Sequence, residues 1–419
     1  MNKPLQPALE ILFRILDPQA ALEELLPSTT LQEWAQVEQA ARQQGLTLLL
    51  YSRLERVNKL NKFVPDTLKE KLHTETLQAT ARNMFMLHHA GIMLKGLRER
   101  GLDVIALKGL YLAEVVYPAI GLRTFDDLDL LLRRPDLPAA LEVMRGLGYE
   151  LSSWYDPADP NRDLKHLPPL MKDGAPIVEL HWIILEEEEP FTIDVDGLWA
   201  RSQPAEIAGV SVCGLSVEDL LLHLSLHLTY QHHLAPGARN LYDIDAVIRR
   251  GGIDWRRLAI TAREWGAQRV VWLTFRLLDE IAGTPLPNGF LAQLLPAQPD
   301  QAIVEDAKRQ LLARGEGGVA LTPDLAALGE TKGISGKLRL ALSRVFIPRR
   351  ILAREYNTNP RSIRIYYFYL VRLVQLVKEY GARAWRLLRG GGEEMVSAQR
   401  ERARAELNRW LAGDIEKKT

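Results

Sequence analysis

The sequence predicts an α/β (α+β) chain in which a mixed sheet, spanning residues 96 to 215, sits between helical regions on either side. Apolar residues recur at helical spacing from Leu9 to about Ala90 and again after Ser216, the pattern of amphipathic helices. Between them, short apolar runs of strand length alternate with short helical segments, the texture of a sheet with helices packed on it. At 419 residues and 47% hydrophobic content the chain can bury more than one core, which excludes disordered and collagen-like classes. Four regions follow: 1–95, helical; 96–215, the sheet-bearing core; 216–300, a helical domain packing on the core; and 301–419, a basic helical region.

In order along the chain, the first 90 residues read as three or four helices, with Pro and Gly confined to the joints. LDVIALKG is a short strand ending at Gly109. LYLAEVVYP is about two helical turns closed by Pro118, and FDDLDLLLR is a second strand. A helix from Pro138 stops at Gly148. IVELHWIIL is a third strand, and VSVCGL supplies a fourth ahead of Ser216. Ser216 then caps a helix, with Asp219 three residues on forming an approximate capping box, and further helices run from Asn240 to Ala282. The prolines Pro285, Pro287, Pro296 and Pro299, with Gly315, Gly317 and Gly318, separate the last part.

Composition bounds the setting. One cysteine, Cys213, makes neither an internal disulfide nor a multi-thiolate zinc site, and no basic neighbour lowers its pKa to make it a nucleophile. Glu10 and Arg14 interrupt the first apolar stretch, and no uncharged run reaches membrane-span length. The expectation is a cytoplasmic protein, with a peripheral membrane contact as the alternative. The 53 basic and 53 acidic residues cancel, but unevenly. Lys337 to Arg389 holds thirteen Lys/Arg against two acids, a net +11, so the remainder carries −11.

In TFDDLDLLL, Asp127 and Asp129 project from one face of a strand, because residues two apart share a face. Two such carboxylates repel each other and require a cation. Glu179 and His181 share a face of the later strand; if the two strands are neighbours, three carboxylates converge. That set suits Mg2+, which takes oxygen ligands and completes its shell with water and phosphate, and two-metal phosphoryl transfer uses such a site. The competing reading places Asp126, Asp127 and Asp129 in a solvated turn and edge strand. Upstream, Gly109 lets backbone approach a phosphate, and the helix behind it offers N-terminal amides.

Taken together, Leu107-Lys108-Gly109, Tyr117-Pro118, Arg123 with Asp127-x-Asp129, Leu147-Gly148-Tyr149 and Glu179-Leu180-His181-Trp182 resemble the uncharacterised nucleotidyltransferase family of the polymerase-beta-like superfamily. The downstream HLSLHL, RNLYDIDAVI, Asp254-Trp255 and Trp265-Gly266 are similar to its helical half. The resemblance covers about residues 10 to 280. It implies a mixed-sheet core and an NTP held through Mg2+, with Mn2+ as the alternative, at Asp127 and Asp129. Glu179 would be the third carboxylate, as metal ligand or as base. Lys108 and Gly109 would lie under the triphosphate with His181 on the nucleotide side, and Arg123 would reach a phosphate or orient the acidic strand. The product would be an NMP transferred to an acceptor that the sequence does not name; the rival is a catalytically weak nucleotide-binding or nucleic-acid-binding module on the same fold. Leu110 departs from the superfamily, which has Ser or Gly there, so the phosphate grip lacks a hydroxyl. Glu179 is a methylene longer than the Asp often found at its place.

His223 and His227 have the one-turn spacing of a zinc pair, but without an H-E-x-x-H glutamate they read as packed or networked histidines. Resemblance places His227, Arg239 and Asp243 along a cleft; read locally, Arg239 and Asp243 are an ion pair four apart. Trp34, Trp255, Trp265 and Trp272 recur in helical patterns and are expected in cores. From Asn359-Pro360 a long amphipathic helix gathers Arg361, Arg364, Arg372, Lys378, Arg383, Arg386 and Arg389 on one side. Three readings stand for it: a packed helix with a solvated basic face, a surface for a phosphate-rich partner such as nucleic acid, and a helix on anionic lipid. The final stretch reads as a frayed helix.

Overall fold

The computed structural model describes residues 7–57, 62–152, 165–186, 189–235, 237–295 and 301–313, short stretches between 362 and 372, and 404–413. The chain forms two compact units, Met1–Gly315 with Trp410–Thr419, and Glu316–Arg409. The first three regions of the sequence reading share the first unit.

Five helices open the chain: α1 (Pro7–Leu16), α2 (Leu22–Ser28), α3 (Leu31–Gln44), α4 (Thr47–Arg56) and α5 (Asp66–Glu99). Thr30 and Glu33 form a reciprocal capping box at the start of α3. The 34-residue α5 runs past residue 95 and delivers the chain directly into β1 (Ile105–Ala106). After it come α6 (Lys108–Tyr111), continued by a π-helical turn at Leu112–Val116, then β2 (Asp127–Leu131), α7 (Leu137–Gly146), β3 (Glu150–Leu151), β4 (Leu170–Met171) and β5 (Ile177–His181). Next are α8 (Val195–Arg201), β6 (Gln203–Ile207) and β7 (Val210–Gly214).

Among the described residues the strands make one seven-stranded sheet in the order β3-β4-β5-β2-β1-β7-β6. It is mixed, as expected: β2 pairs in parallel with β5 and β1 in parallel with β7, while the remaining neighbours are antiparallel. Strands β3, β4 and β6 were not legible as strands. Two are only two residues long, and β6 carries Gln203, Pro204 and Glu206 at the sheet edge, where Pro is tolerated.

Alternation sorts the two central strands into faces. Leu128, Leu130, Val178 and Leu180 are fully buried and join the core with Met86, Ala90, Met93 and Leu94 of α5 and Ala140 and Met144 of α7. Each such side chain contributes about 1.5–3 kcal/mol, which anchors the strands whose opposite face carries Asp127, Asp129, Glu179 and His181.

The helical half follows: α9 (Val217–Ser225), a π-helical turn at Leu226–Gln231, α10 (Ala238–Arg250), α11 (Trp255–Glu264), α12 (Gln268–Leu277) with a π-helical turn at Leu278–Ala282, α13 (Phe290–Leu294) and α14 (Gln301–Leu312). Ser216 caps α9, its hydroxyl accepting from the Asp219 backbone at 3.1 Å. Trp34, Trp265 and Trp272 are buried, and Trp255 packs edge-on against Phe275 and Phe290. Of the final stretch, residues 404–413 are described, helical over 404–411. Leu407, Trp410 and Leu411 are buried, and the Trp410 carbonyl accepts from Arg269 at 2.8 Å.

Of the basic helix, 364–369 and 371–372 are helical, with Ile365 buried and Tyr366 exposed. The rest of Arg361–Arg389, the Asn359-Pro360 cap and the glycine cluster at 315–318 lie outside the described residues. No described helix is long and apolar enough to cross a membrane.

Candidate active site

Strand β2 sets Asp127 and Asp129 on one face, and its parallel pairing with β5 places Glu179 beside Asp129 and His181 beside Leu131. The two strands are neighbours, so the carboxylates meet. His181 Nε2 lies 2.8 Å from Asp129 Oδ1 and 3.4 Å from Glu179 Oε2. Lys108 Nζ donates to the same Asp129 Oδ1 at 2.9 Å. Asp129 and His181 are each 1% exposed, so this chemistry is shielded from water. One ligand atom from each of Asp129, Glu179 and His181 lies within 4.8 Å of the others; among the described residues, no other group of three or more His, Cys, Asp or Glu is so placed. Asp127 stands outside that group, one strand repeat away.

The electrostatics are those of crowded anions. Burial and then the Asp129 carboxylate push Asp127 up to about 6, against the pull of Lys108. Burial also opposes ionisation of Asp129, but Lys108 and His181 outweigh it and hold this carboxyl well below its usual range. The His181 hydrogen bond lowers Glu179 despite burial. Burial works against the Lys108 ammonium, yet Asp129, with Glu179 and Asp127 behind it, keeps its pKa above the ordinary value. Lys165 stands further off, and burial and Lys108 push it down.

Lys108 occupies the turn from β1 into α6 with φ +43°, the left-handed region that costs a non-glycine residue roughly 1–2 kcal/mol. The neighbouring Leu107 amide donates to the Asp129 carbonyl at 3.0 Å, which fixes this turn against the acidic strand. Gly109 is buried, and a Cβ there would come within 2.6 Å of Phe125 Cβ. Its missing side chain is therefore required by protein packing, a reason that the sequence did not show.

Arg123 faces Asp243. Its Nε donates to both carboxylate oxygens at 3.1 and 3.0 Å, its Nη2 lies 3.0 Å from Oδ2, and Tyr117 donates to Oδ1 at 2.9 Å. Of the two roles expected for Arg123, these contacts with Asp243 fit the orienting one. Arg123 is 8% exposed and its Nη1 donates to the Thr124 carbonyl at the entrance to β2. Asn83 on α5 adds a second tie, donating to the Arg123 carbonyl at 2.7 Å. Asp243 likewise joins Arg123 and Tyr117 across 120 and 126 residues. The Arg239 charge is felt at the Tyr117 hydroxyl, which burial and Asp243 raise well above its ordinary value.

His227 belongs to a histidine row. Its ring centroid is 6.2 Å from that of buried His223 and 4.2 Å from that of exposed His232, and the His227 and His232 Nε2 atoms are 3.0 Å apart. Burial, and then Lys108, lower His223 and His227 well below the ordinary histidine range. The His223 ring is packed in the interior and His227 is half-buried beside it. His166 was missed: its ring packs 4.8 Å from His181 and its Nε2 lies 3.8 Å from Glu179. It precedes two prolines in a stretch without periodicity. The backbone bonds that hold it beside β5, Leu167 to Leu180 and Trp182 to Lys165, are invisible in the residue types.

The model of a family described as uncharacterised nucleotidyltransferase matches residues 30–283, well over half of the chain. The matched span begins just before α3, ends after α12, and contains every site residue described above. No curated protein and no solved structure gives a match.

Proposed function

The chain belongs to the uncharacterised nucleotidyltransferase family, and on that premise we propose that it moves an NMP from an NTP to an acceptor hydroxyl, amine or protein side chain with the help of a divalent cation. The observation that carries this reading is the charge imbalance: three converging carboxylates, Asp127, Asp129 and Glu179, have one ammonium, Lys108, in direct contact. Buried anions in excess of cations are costly, and a cation with phosphates attached resolves the excess.

The residues fit such an ion. Asp129, Glu179 and His181 offer ligand atoms at mutual distances that one cation can span, and carboxylate oxygens suit Mg2+ or Mn2+. When bound, the ion supplies charge neutralisation at the transferring phosphorus and activation of the attacking oxygen. Asp129 and Glu179, both held ionised, act as ligands. For Glu179 a lowered pKa favours that role over the proton-accepting one, since a weakly basic carboxylate is a poor acceptor. Asp127, at the rim of the group, completes the anionic face, and a bound cation would relieve the repulsion from Asp129 that raises its pKa. Lys108 offers its ammonium to the triphosphate, with Gly109 shaping the turn behind it.

Incubation with α-labelled NTP, Mg2+ or Mn2+ and cell lysate tests this: labelled acceptor is expected. No label transfer, no thermal stabilisation by NTP with metal, and wild-type behaviour of Asp127→Ala with Asp129→Ala would sink it. A nucleotide binder without turnover is favoured by one feature, the Lys108–Asp129 ion pair, which engages both groups with each other; NTP bound but chemically intact after incubation with lysate would select it. For the Arg361–Arg389 stretch we keep a phosphate-rich partner or an anionic membrane surface as the proposal. Salt-sensitive retention on nucleic acid or on anionic vesicles tests it, since phosphate contacts weaken as salt rises.

A further inference from the structure

We propose that the outward face of α5 is a self-association surface, on which a second copy of this chain packs antiparallel about a two-fold axis between Met84 and Phe85. Leu77, Met84, Phe85 and Ile92 are 45–60% exposed, and Ala81 and His88 between them are exposed as well. At about 100 degrees per residue these six side chains fall within an arc of about 100 degrees, along about 22 Å of helix. A surface helix normally shows one apolar face. In α5 the inward face, with Met86, Ala90, Met93 and Leu94, is already taken up by the core, so the outward stripe is a second one. Among the described elements of the Met1–Gly315 unit, no other carries more than one exposed large apolar side chain. Single exposed apolar residues are ordinary, whereas a contiguous patch marks an interaction surface.

What selects a second copy is the symmetry of the stripe. A two-fold interface needs a patch complementary to itself, in which residue i meets residue j and j meets i. Counted outward from the midpoint between residues 84 and 85, Ala81 and His88 are equally distant, and so are Leu77 and Ile92. Turned end for end, the stripe therefore sets Met84 on Phe85 and Leu77 on Ile92 of the other copy, and small Ala81 leaves room for the His88 ring. The charges agree. Exposed Glu70 and Lys71 lie at one end of the helix and exposed Lys95, Arg98 and Glu99 at the other. End-for-end packing gathers two acids among three bases at each end, whereas a parallel packing sets Glu70 on Glu70 and Lys95 on Lys95, which like-charge repulsion opposes. Beside the midpoint, Arg82 pairs with Asp126 and Asn83 holds the Arg123 carbonyl, so the surface adjoins the segment that leads into β2.

The size of the stripe sets the strength. One helix face about 22 Å long is small beside the roughly 800 Å2 per partner of standard interfaces, so a reversible, concentration-dependent dimer is expected.

The test is sedimentation equilibrium of the full-length protein between about 1 and 200 μM, the range in which a weak dimer dissociates. A monomer–dimer equilibrium is expected, weakened by about tenfold or more in Phe85→Asp and in Met84→Asp, as for a residue at the centre of an interface. The circular dichroism melt of both variants should match the wild type, because both side chains are exposed. Register is read by disulfide formation in a Cys213→Ser background. Ala81→Cys and His88→Cys should cross-link when mixed and not when oxidised separately; within one helix the two positions are about 10 Å apart, too far to bridge. If an aspartate variant fails to fold, the cysteine pair decides. A wild type that stays monomeric overturns the proposal, including one that binds another protein or anionic vesicles through this face. A dimer indifferent to both aspartate variants overturns it too, as does cross-linking of either cysteine variant alone as readily as of the mixture.

Discussion

Arg123 with Asp243 and Tyr117, and Lys108 with the acids of β2 and β5, are both buried ionic clusters of this chain, and they balance differently. In the first, one guanidinium meets one carboxylate through several short contacts and a tyrosine hydroxyl takes up a further lone pair. Nothing in it calls for another charge, and its partners come from segments more than 100 residues apart. In the second, one ammonium faces three carboxylates, and the local repulsion is visible in Asp127, pushed up to about 6. A closed pair works as a strut, fixing the segment ahead of β2 against α10. An open cluster is held together by the rest of the fold, above all by the buried leucines on the other face of the same strands, and its unmet charge is what a substrate and its cation can use.

The largest expected effect separates the two at once. Asp129→Asn removes the carboxylate that both Lys108 and His181 engage, and label transfer should fall by about 10^4-fold or more, above 5 kcal/mol in the transition state. Unfolding of the same variant should change less than its activity. If Asp129→Asn keeps more than a tenth of wild-type transfer, the open cluster is not the reacting centre.

Next comes the strut. Asp243→Ala leaves the Arg123 guanidinium buried and unpaired, a change that costs about 3–5 kcal/mol and should lower the melting temperature by on the order of 10 °C. The double variant Arg123→Met with Asp243→Leu should recover most of it, since replacing both partners by apolar groups avoids the stranded charge. A single variant as stable as the wild type in thermal and urea melts would remove the strut from the comparison.

Much of the open cluster could be read from the sequence and little of the strut could. Asp127, Asp129 and Glu179 announce themselves because acids two apart among leucines contradict the strand pattern around them, and alternation alone assigns their face. That β5 lies beside β2 was a condition the sequence could pose but not decide, because pairing is a tertiary fact. Arg123 and Asp243 gave no such signal. Each is an ordinary residue in its own segment, and spacing pointed Asp243 only to Arg239, four residues away on the same helix, not to the distant Arg123 and Tyr117. His166 was hidden for the same reason, brought beside β5 by backbone bonds that residue types do not show.

The pH dependence of stability sharpens the contrast further. Asp127 titrates near its ordinary value of 3.8 in the unfolded chain and at about 6 in the fold, so the folded protein binds the proton more tightly. Its contribution is therefore most favourable below pH 4, declines as pH rises through about 6, and leaves a penalty of at most about 3 kcal/mol above that. Asp127→Asn removes the penalty. Without divalent cations, the variant should melt above the wild type at pH 7 to 8, and the gain should vanish below pH 4. A gain that is equal at both pH values would mean that Asp127 is not strained by its neighbours.

The smallest effect asks to which of the two kinds of structure Gly109 belongs. A methyl group there would meet Phe125 Cβ at 2.6 Å, and overpacking of this sort typically costs about 1–3 kcal/mol. The gain in helix propensity on replacing Gly by Ala, up to about 1 kcal/mol, offsets part of that cost. Gly109→Ala should therefore lose on the order of 1 kcal/mol in a urea melt while NTP affinity of the folded protein stays within a few fold of wild type. Phe125→Ala should not rescue it, because the clashing Cβ remains, whereas Phe125→Gly should remove the coupling between the two sites. The opposite pattern, unchanged stability with NTP affinity down tenfold or more, would move Gly109 from packing to phosphate contact and would extend the open cluster back into the turn that carries Lys108.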